Sequence, residues 1–178
     1  MGKSNFEYIK AFFKKWEGGW SVDPDDNGNK NNGCTMSGIT LTTFKKYYGK
    51  EKTCDDLKKL TDAQWTNIFR KGYYDKCKCD SIDNPSIALL VCQMAWGSGP
   101  QTAIKKIQNC LGCKADGIIG PITLGKLNNP NSQYIFQRLW EMRYVWLCNI
   151  ASVGNNKKFL KGWLRRLADI KYIPTPTE

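Results

Sequence analysis

The chain has no histidine among its 178 residues. That absence removes Ser-His-Asp and Cys-His nucleophilic catalysis and every zinc site that needs an imidazole. Long apolar runs are missing too: no stretch approaches the roughly 18 residues that a membrane-spanning helix requires. Acidic residues are scarce, 16 against 27 lysines and arginines, which leaves a formal net charge of +11. No RNP, KH, zinc-finger or basic-zipper signature accompanies that charge, so nothing beyond the charge itself points to nucleic acid. The basic residues come as scattered doublets, Lys14-Lys15, Lys45-Lys46, Lys58-Lys59, Lys105-Lys106, Lys157-Lys158 and Arg165-Arg166. They read as solvated outer faces of amphipathic helices whose summed field attracts polyanions.

What is present builds a core. Hydrophobic residues make up 41% of the chain and include seven tryptophans, enough for one globular unit of this length. Ser4 and Glu7 form a Ser-x-x-Glu capping box, and Phe6, Ile9, Phe12, Phe13 and Trp16 recur at helical spacing, which predicts a helix from Asn5 to Trp16. Gly18-Gly19 should stop it and leave Glu17 on its last turn, beside Trp16 and Trp20. The negative end of the helix and the apolar rings both disfavour a charged carboxylate, so Glu17 should hold its proton unusually well. A carboxyl of that kind suits a general acid. The following loop, Asp23-Pro24-Asp25-Asp26-Asn27-Gly28, offers three aspartates in a polar turn. Two carboxyls about ten residues apart are also common in helix ends and turns that do no chemistry.

Further along, Thr61 and Gln64 form another capping box ahead of Trp65, Ile68 and Phe69. Asn84 and Pro85 open a segment from Ile87 to Trp96 that is apolar nearly all round and should be the central helix. Gly97-Ser98-Gly99-Pro100 should break it and start another with Ala103, Ile104, Ile107 and Leu111 inward, ended by Gly112. Asp116 to Thr123 reads as a glycine-rich loop, more readily a structural turn than a binding element. Helices follow from about Ser132 to Ile150, with Phe136, Leu139, Trp140, Arg143, Trp146 and Leu147 on one stripe, and from Lys157 to Ala168. From Lys171 onward the tail should be a peripheral strap. Short strands are expected only between Ser21 and Thr40.

The eight cysteines, among them Cys77-Lys78-Cys79 and Cys110-Leu111-Gly112-Cys113, allow a disulfide framework, a thiolate zinc site or plain buried thiols. With no histidine and no repeated ribbon spacing, mostly reduced structural cysteines, and no metal or other cofactor, are expected.

Glu17-Gly18-Gly19-Trp20, Asp23-Pro24, Asp26, Gly33, Thr35 and Gly38-Ile39-Thr40 together resemble the signature of glycoside hydrolase family 108, lysozyme-like N-acetylmuramidases of phages and bacteria. Trp96-Gly97, Asp116 to Thr123 and Lys161-Gly162-Trp163-Leu164-Arg165-Arg166 resemble the peptidoglycan-associated region that follows it. Two departures stand out: Asn29-Lys30-Asn31-Asn32 is inserted before Gly33, which leaves the register of Asp25, Asp26 and Thr35 open, and Trp96 occupies a place that is often asparagine.

The resemblance implies an all-α, lysozyme-like fold of about eight helices with at most a short β-hairpin after the glutamate. It divides the chain into a catalytic segment, residues 1–93, and a peptidoglycan-associated helical segment, residues 94–178, packed together. It implies cleavage of the β-1,4 bond between N-acetylmuramic acid and N-acetylglucosamine, with Glu17 as general acid and Asp26 as second carboxylate; the hydroxyl of Thr35 or Thr40 is expected to hold the water. Trp20, Asp23, Asp25, Tyr73 and Trp96 are the expected substrate-binding residues, in a cleft between the Glu17 to Thr40 lobe and the helices after Pro85. The expected partner is the peptidoglycan glycan strand, met by a monomer, with no nucleic acid involved. Met1-Gly2-Lys3-Ser4 runs straight into the capped helix, so no signal peptide is expected. A wall substrate would then be reached after lysis or through a holin-like pore, as in an endolysin. A catalytically silent wall-binding module and a basic nucleic-acid binder are the competing classes.

Overall fold

A computed structural model describes residues 5–30 and 33–174. It is all-α as expected, with nine α-helices and one small sheet among the described residues. Helix α1 (Asn5–Trp16) buries Phe6, Ile9 and Phe13, the residues its 3.6-residue periodicity marks. Ser4, the expected cap, lies outside the described residues; at Asn5 the side-chain amide donates to the carbonyls of Cys79 and Ile82 and ties the helix start to the core.

Three two-residue strands follow, β1 (Trp20–Ser21), β2 (Thr35–Met36) and β3 (Ile39–Thr40), antiparallel in the order β1-β2-β3. Trp20 pairs with Met36 and Ser21 with Thr35, while Thr35 also faces Thr40. The expected hairpin is therefore β2-β3, joined by a third strand. Its two-residue turn, Ser37-Gly38, has positive φ at both positions, 48° and 75°, as a primed hairpin turn demands.

Helices α2 (Leu41–Tyr48) and α3 (Cys54–Lys58) lie where no helix was foreseen. Thr40 caps the first, and the second opens on a Thr53/Asp56 capping box. A disulfide joins Cys34 to Cys54, the one departure among the described residues from the mostly reduced cysteines expected. It fastens the strand-bearing loop to α3, a cross-link that no local spacing announces. Cys77, Cys79, Cys92, Cys110, Cys113 and Cys148 are free thiols.

Helix α4 (Asp62–Phe69) starts on the foreseen Thr61/Gln64 box, with both reciprocal hydrogen bonds made, and runs into a π-helical turn, Arg70–Tyr74. Helix α5 (Pro85–Ser98) is the hub: every residue from Ser86 to Ala95 is buried, and α1, α6 (Pro100–Cys110) and α8 (Ser132–Ala151) pack around it. It runs two residues beyond Trp96, because the chain turns only at Gly99, where φ is 79°.

The loop expected over Asp116–Thr123 is shorter, since Pro121 starts α7 (Pro121–Leu127) with its fixed φ at the first helical position. Buried Gln108 holds that loop: its amide donates to Asp116, the Ile118 carbonyl and Thr123, and accepts from the Gly117 N–H. The chain closes with a 3-10 segment, Gly154–Phe159, and α9 (Leu160–Ala168). The start of the tail straps back onto α5 and α8, through Asn84 to the Ile173 carbonyl, the Ile173 N–H to Ser86, and a Ser132–Tyr172 hydroxyl pair. No described helix is long and apolar enough to cross a membrane.

Candidate active site

Glu17 is carried one residue past the end of α1, its N–H still donating to the Phe13 carbonyl at 2.8 Å. Its side chain is only 7% exposed and meets Arg166 of α9, whose Nη2 lies 2.8 Å from Oε1. The Trp96 indole stands beside the same carboxylate and favours its charged form. Gly38 closes the remaining side: with φ at +75° it lies so near that a Cβ there would drive into the Glu17 carboxylate and within 2.8 Å of the Trp96 ring.

Burial pushes the Glu17 pKa above the ordinary carboxylate range; the Arg166 charge and the hydrogen bonds from Arg166 and Trp96 pull against it without cancelling it. The rise was expected, but its surroundings differ. Trp16 turns its indole N–H to Asp169, and Trp20 lies under the Lys58 ammonium, so the pocket for Glu17 is made by Trp96, Gly38 and Arg166 instead.

The aspartate loop separates its three carboxylates. Asp23 and Asp25 both bind the Lys158 ammonium, at 2.8 and 2.7 Å, and Asn155 also donates to Asp25. Those contacts draw both aspartates below the usual carboxylate range, with the Lys158 hydrogen bond the largest cause in each. Asp26 instead lines a cavity of about 440 Å³, while one of its oxygens accepts from the Gly28 N–H and caps a short 3-10 turn.

Thr35 is buried and donates to Asn29 at 2.7 Å; Asn29 in turn donates to Ser21 and the Asp23 carbonyl, which knits the loop to the sheet. Thr40 caps α2. Both threonines gather round Gly28 next to Asp26: a Cβ at Gly28 would lie 2.7 Å from the Thr40 methyl and 3.3 Å from the Thr35 hydroxyl.

The cavity lies between the Asp26 loop and the helices after Pro85. Gln93 and Trp96 of α5, Arg143 and Trp146 of α8, and Trp163 and Arg166 of α9 stand in its wall. Glu17 is not itself part of that lining, but its two partners, Arg166 and Trp96, are. Tyr73 packs on Trp96 at 4.7 Å between ring centroids, behind the wall, and Trp20 belongs to a separate depression with Val22, Pro24 and Cys54. So Glu17, Trp96 and Tyr73 form one group, and Asp26, Thr35 and Thr40 another; Trp20, Asp23 and Asp25 stand apart.

Sequence reasoning missed the two arginines as site residues. Arg166 reads with Arg165 as a solvated doublet, yet its side chain is only 16% exposed, stacked 4.9 Å from the Phe13 ring. Arg143 was readable as an anomaly, the one charged residue on the apolar stripe of α8, and it is 3% exposed. Lys158 likewise serves the aspartate loop rather than a free outer face. No cluster among the described residues is fit to hold a metal ion.

The family described as Glycosyl hydrolase 108 matches residues 11–99, and that described as Predicted Peptidoglycan domain matches residues 102–168. The Glu17–Arg166 pair joins one matched segment to the other. The solved structure of Brucella abortus SagA is similar, with a TM-score of 0.80 and 30% identity over 95% of this chain and 92% of that one. A curated protein described as an uncharacterized protein in the bpoA1 3′ region of Kitasatospora aureofaciens is 51% identical over 37 residues, 20% of this chain. That match spans 31% of the relative's length. With half the chain matched by the first family, most of the rest matched by the second, and nearly all of it alike in fold to the SagA structure, the protein belongs to glycosyl hydrolase family 108 and is a peptidoglycan hydrolase.

Proposed function

We propose that the protein is an N-acetylmuramidase, hydrolysing the β-1,4 bond between N-acetylmuramic acid and N-acetylglucosamine with Glu17 as general acid. The observation that carries this reading is a carboxyl held above its ordinary pKa by burial, tucked behind the wall of a cavity that also presents Asp26. A glycosidic oxygen entering between Trp96 and Arg166 takes the Glu17 proton as the bond to the departing sugar breaks. Positive charge builds at the anomeric carbon, and Asp26 is the carboxylate of the aspartate loop placed to face it. Asp23 and Asp25 are occupied by Lys158 and act on the loop's shape.

Aromatic rings of the wall, Trp146 and Trp163 among them, give faces on which sugar rings stack. The proposed place of action is the cell wall, reached after lysis or through a holin-like pore. The test is zymography on purified walls with wild type and Glu17→Gln, together with mass analysis of the new reducing ends. Wild type should clear the wall and leave muramic acid at the reducing end, and a folded Glu17→Gln should do neither. Clearing by a Gln variant with native circular dichroism would remove Glu17 from this role, and wall binding without clearing by wild type would make the protein a binding module. Comparing Asp26→Asn with Asp23→Asn and Asp25→Asn tests the second carboxylate, and a harmless Asp26→Asn would refute that assignment.

A further inference from the structure

Arg143 projects from α8 into the cavity wall with 3% of its surface exposed. Its guanidinium rests 4.6 Å from the centre of the Trp146 ring, and Nη1 donates to Ser98 Oγ at 3.3 Å. Its Nε has no hydrogen-bond partner, and no described carboxylate lies within ion-pairing distance of it. Gly97 makes room for it: a Cβ there would sit 2.9 Å from Nη2. Burial, aided by the nearby Arg166 charge, lowers its pKa to about 10, still well above neutrality. A buried cation without a counter-charge is costly to keep, and folding alone gives no reason to keep one on an apolar helix stripe.

A second group in the same wall is also incomplete. The Gln93 side-chain oxygen is buried and accepts no hydrogen bond. One orphan cation and one orphan acceptor together ask for an anionic group that stands beside an N–H donor. A carboxylate is the matching anion, since guanidinium binds it through two parallel hydrogen bonds.

We propose that Arg143, with Gln93, forms a carboxylate-recognition subsite that selects the acidic group of the muramic acid unit over an uncharged equivalent. This rests on the muramidase reading above. A bare muramic acid residue carries a lactyl carboxylate next to its acetamido N–H, and a peptide stem carries carboxylates next to amide N–H groups, so both offer the required pair. Arg143 touches neither the scissile bond nor Glu17; it holds the substrate, and its loss should act on KM before kcat.

The experiment uses four soluble probes: a muramic acid–glucosamine oligomer without stems, a stem-bearing oligomer whose lactyl carboxyl is already in amide linkage, and each of these with its remaining carboxylates methylated. Methylation should raise the wild-type KM by about tenfold or more in one of the two pairs, which identifies the carboxylate's source, and change kcat little. Arg143→Gln should show that raised KM on the free acid and no further response to methylation, while Arg143→Lys, which keeps the charge, should recover part of the difference. A wild-type KM that moves less than about twofold in both pairs, or a folded Arg143→Gln that keeps the full response, overturns the subsite. If neither variant folds, the wild-type response to methylation decides by itself. Indole fluorescence titration of the same probes reads the contact without turnover. Failure of the muramidase reading, no cleavage of any probe, is therefore distinct from failure of the carboxylate subsite.

Discussion

Replacing Arg166 with glutamine should move the alkaline limb of the rate profile towards higher pH, because Arg166 is the largest influence opposing the desolvation of Glu17. The pair stands at 2.8 Å with side chains 16% and 7% exposed, so water screens it little. Two unit charges about 4 Å apart at an effective dielectric of about 20 attract by roughly 4 kcal/mol. Delocalisation over the guanidinium and the retained Trp96 bond reduce this, and hydrogen bonds to charged groups are worth about 1.5–3 kcal/mol. Taking about 2–3 kcal/mol as the loss, the protonation equilibrium of Glu17 shifts by about 30-fold to 150-fold towards the acid form.

The assay is kcat/KM on a soluble muropeptide oligomer across the pH range, with urea unfolding alongside. The stability change has a definite sign. Glu17 binds its proton more tightly folded than unfolded, so its contribution is fully present below the ordinary carboxylate range and is lost as pH rises through the folded value. In Arg166→Gln that window extends upward, and the deficit against wild type should be small in mild acid and grow towards about 2–3 kcal/mol above it. An alkaline limb that stays in place or moves to lower pH would refute the reasoning, as would a stability deficit that shrinks with rising pH.

Gly38→Ala should cost activity far more than stability: strain at positive φ is about 1 kcal/mol, but displacing Glu17 and Trp96 by even about 1 Å should lower kcat on the order of a hundredfold. Thermal melts beside turnover measurements check this, and near wild-type kcat would show that the contact is dispensable. Reducing the Cys34–Cys54 disulfide, which spans 20 residues, should destabilise the protein by about 2–4 kcal/mol and loosen the Asp26 loop. Unfolding with and without reductant, repeated on Cys34→Ser, reads it, and equal midpoints would count against a stabilising bridge.

Much of the helical frame was legible because its signals are local. The Thr61/Gln64 box, the Asn84-Pro85 start and the apolar rows of α1, α5, α6 and α8 each act within a few residues, and each element formed where they stand. Helices α2, α3 and α7, of eight, five and seven residues, escaped notice because fewer than about two or three turns leave too little periodicity to distinguish from a loop. Their start signals, the caps Thr40 and Thr53 and the first-turn Pro121, were in view but had no long apolar row behind them.

The sequence by itself determined that Glu17 ends a helix, that glycines follow it and that three aspartates share the next loop. Those are properties of neighbours along the chain. Tertiary structure alone decided what surrounds the carboxyl, because the partners come from far away: Trp96 from α5, and Arg166 from 149 residues downstream. It also decided which aspartates are tied up, since Lys158 stands 133 and 135 residues beyond Asp25 and Asp23 and leaves Asp26 to the cavity. Electrostatic influence depends on distance in space and on the water between charges. Neither is written in spacing along the chain, so a doublet that reads as solvated can supply the cation that binds the buried glutamate.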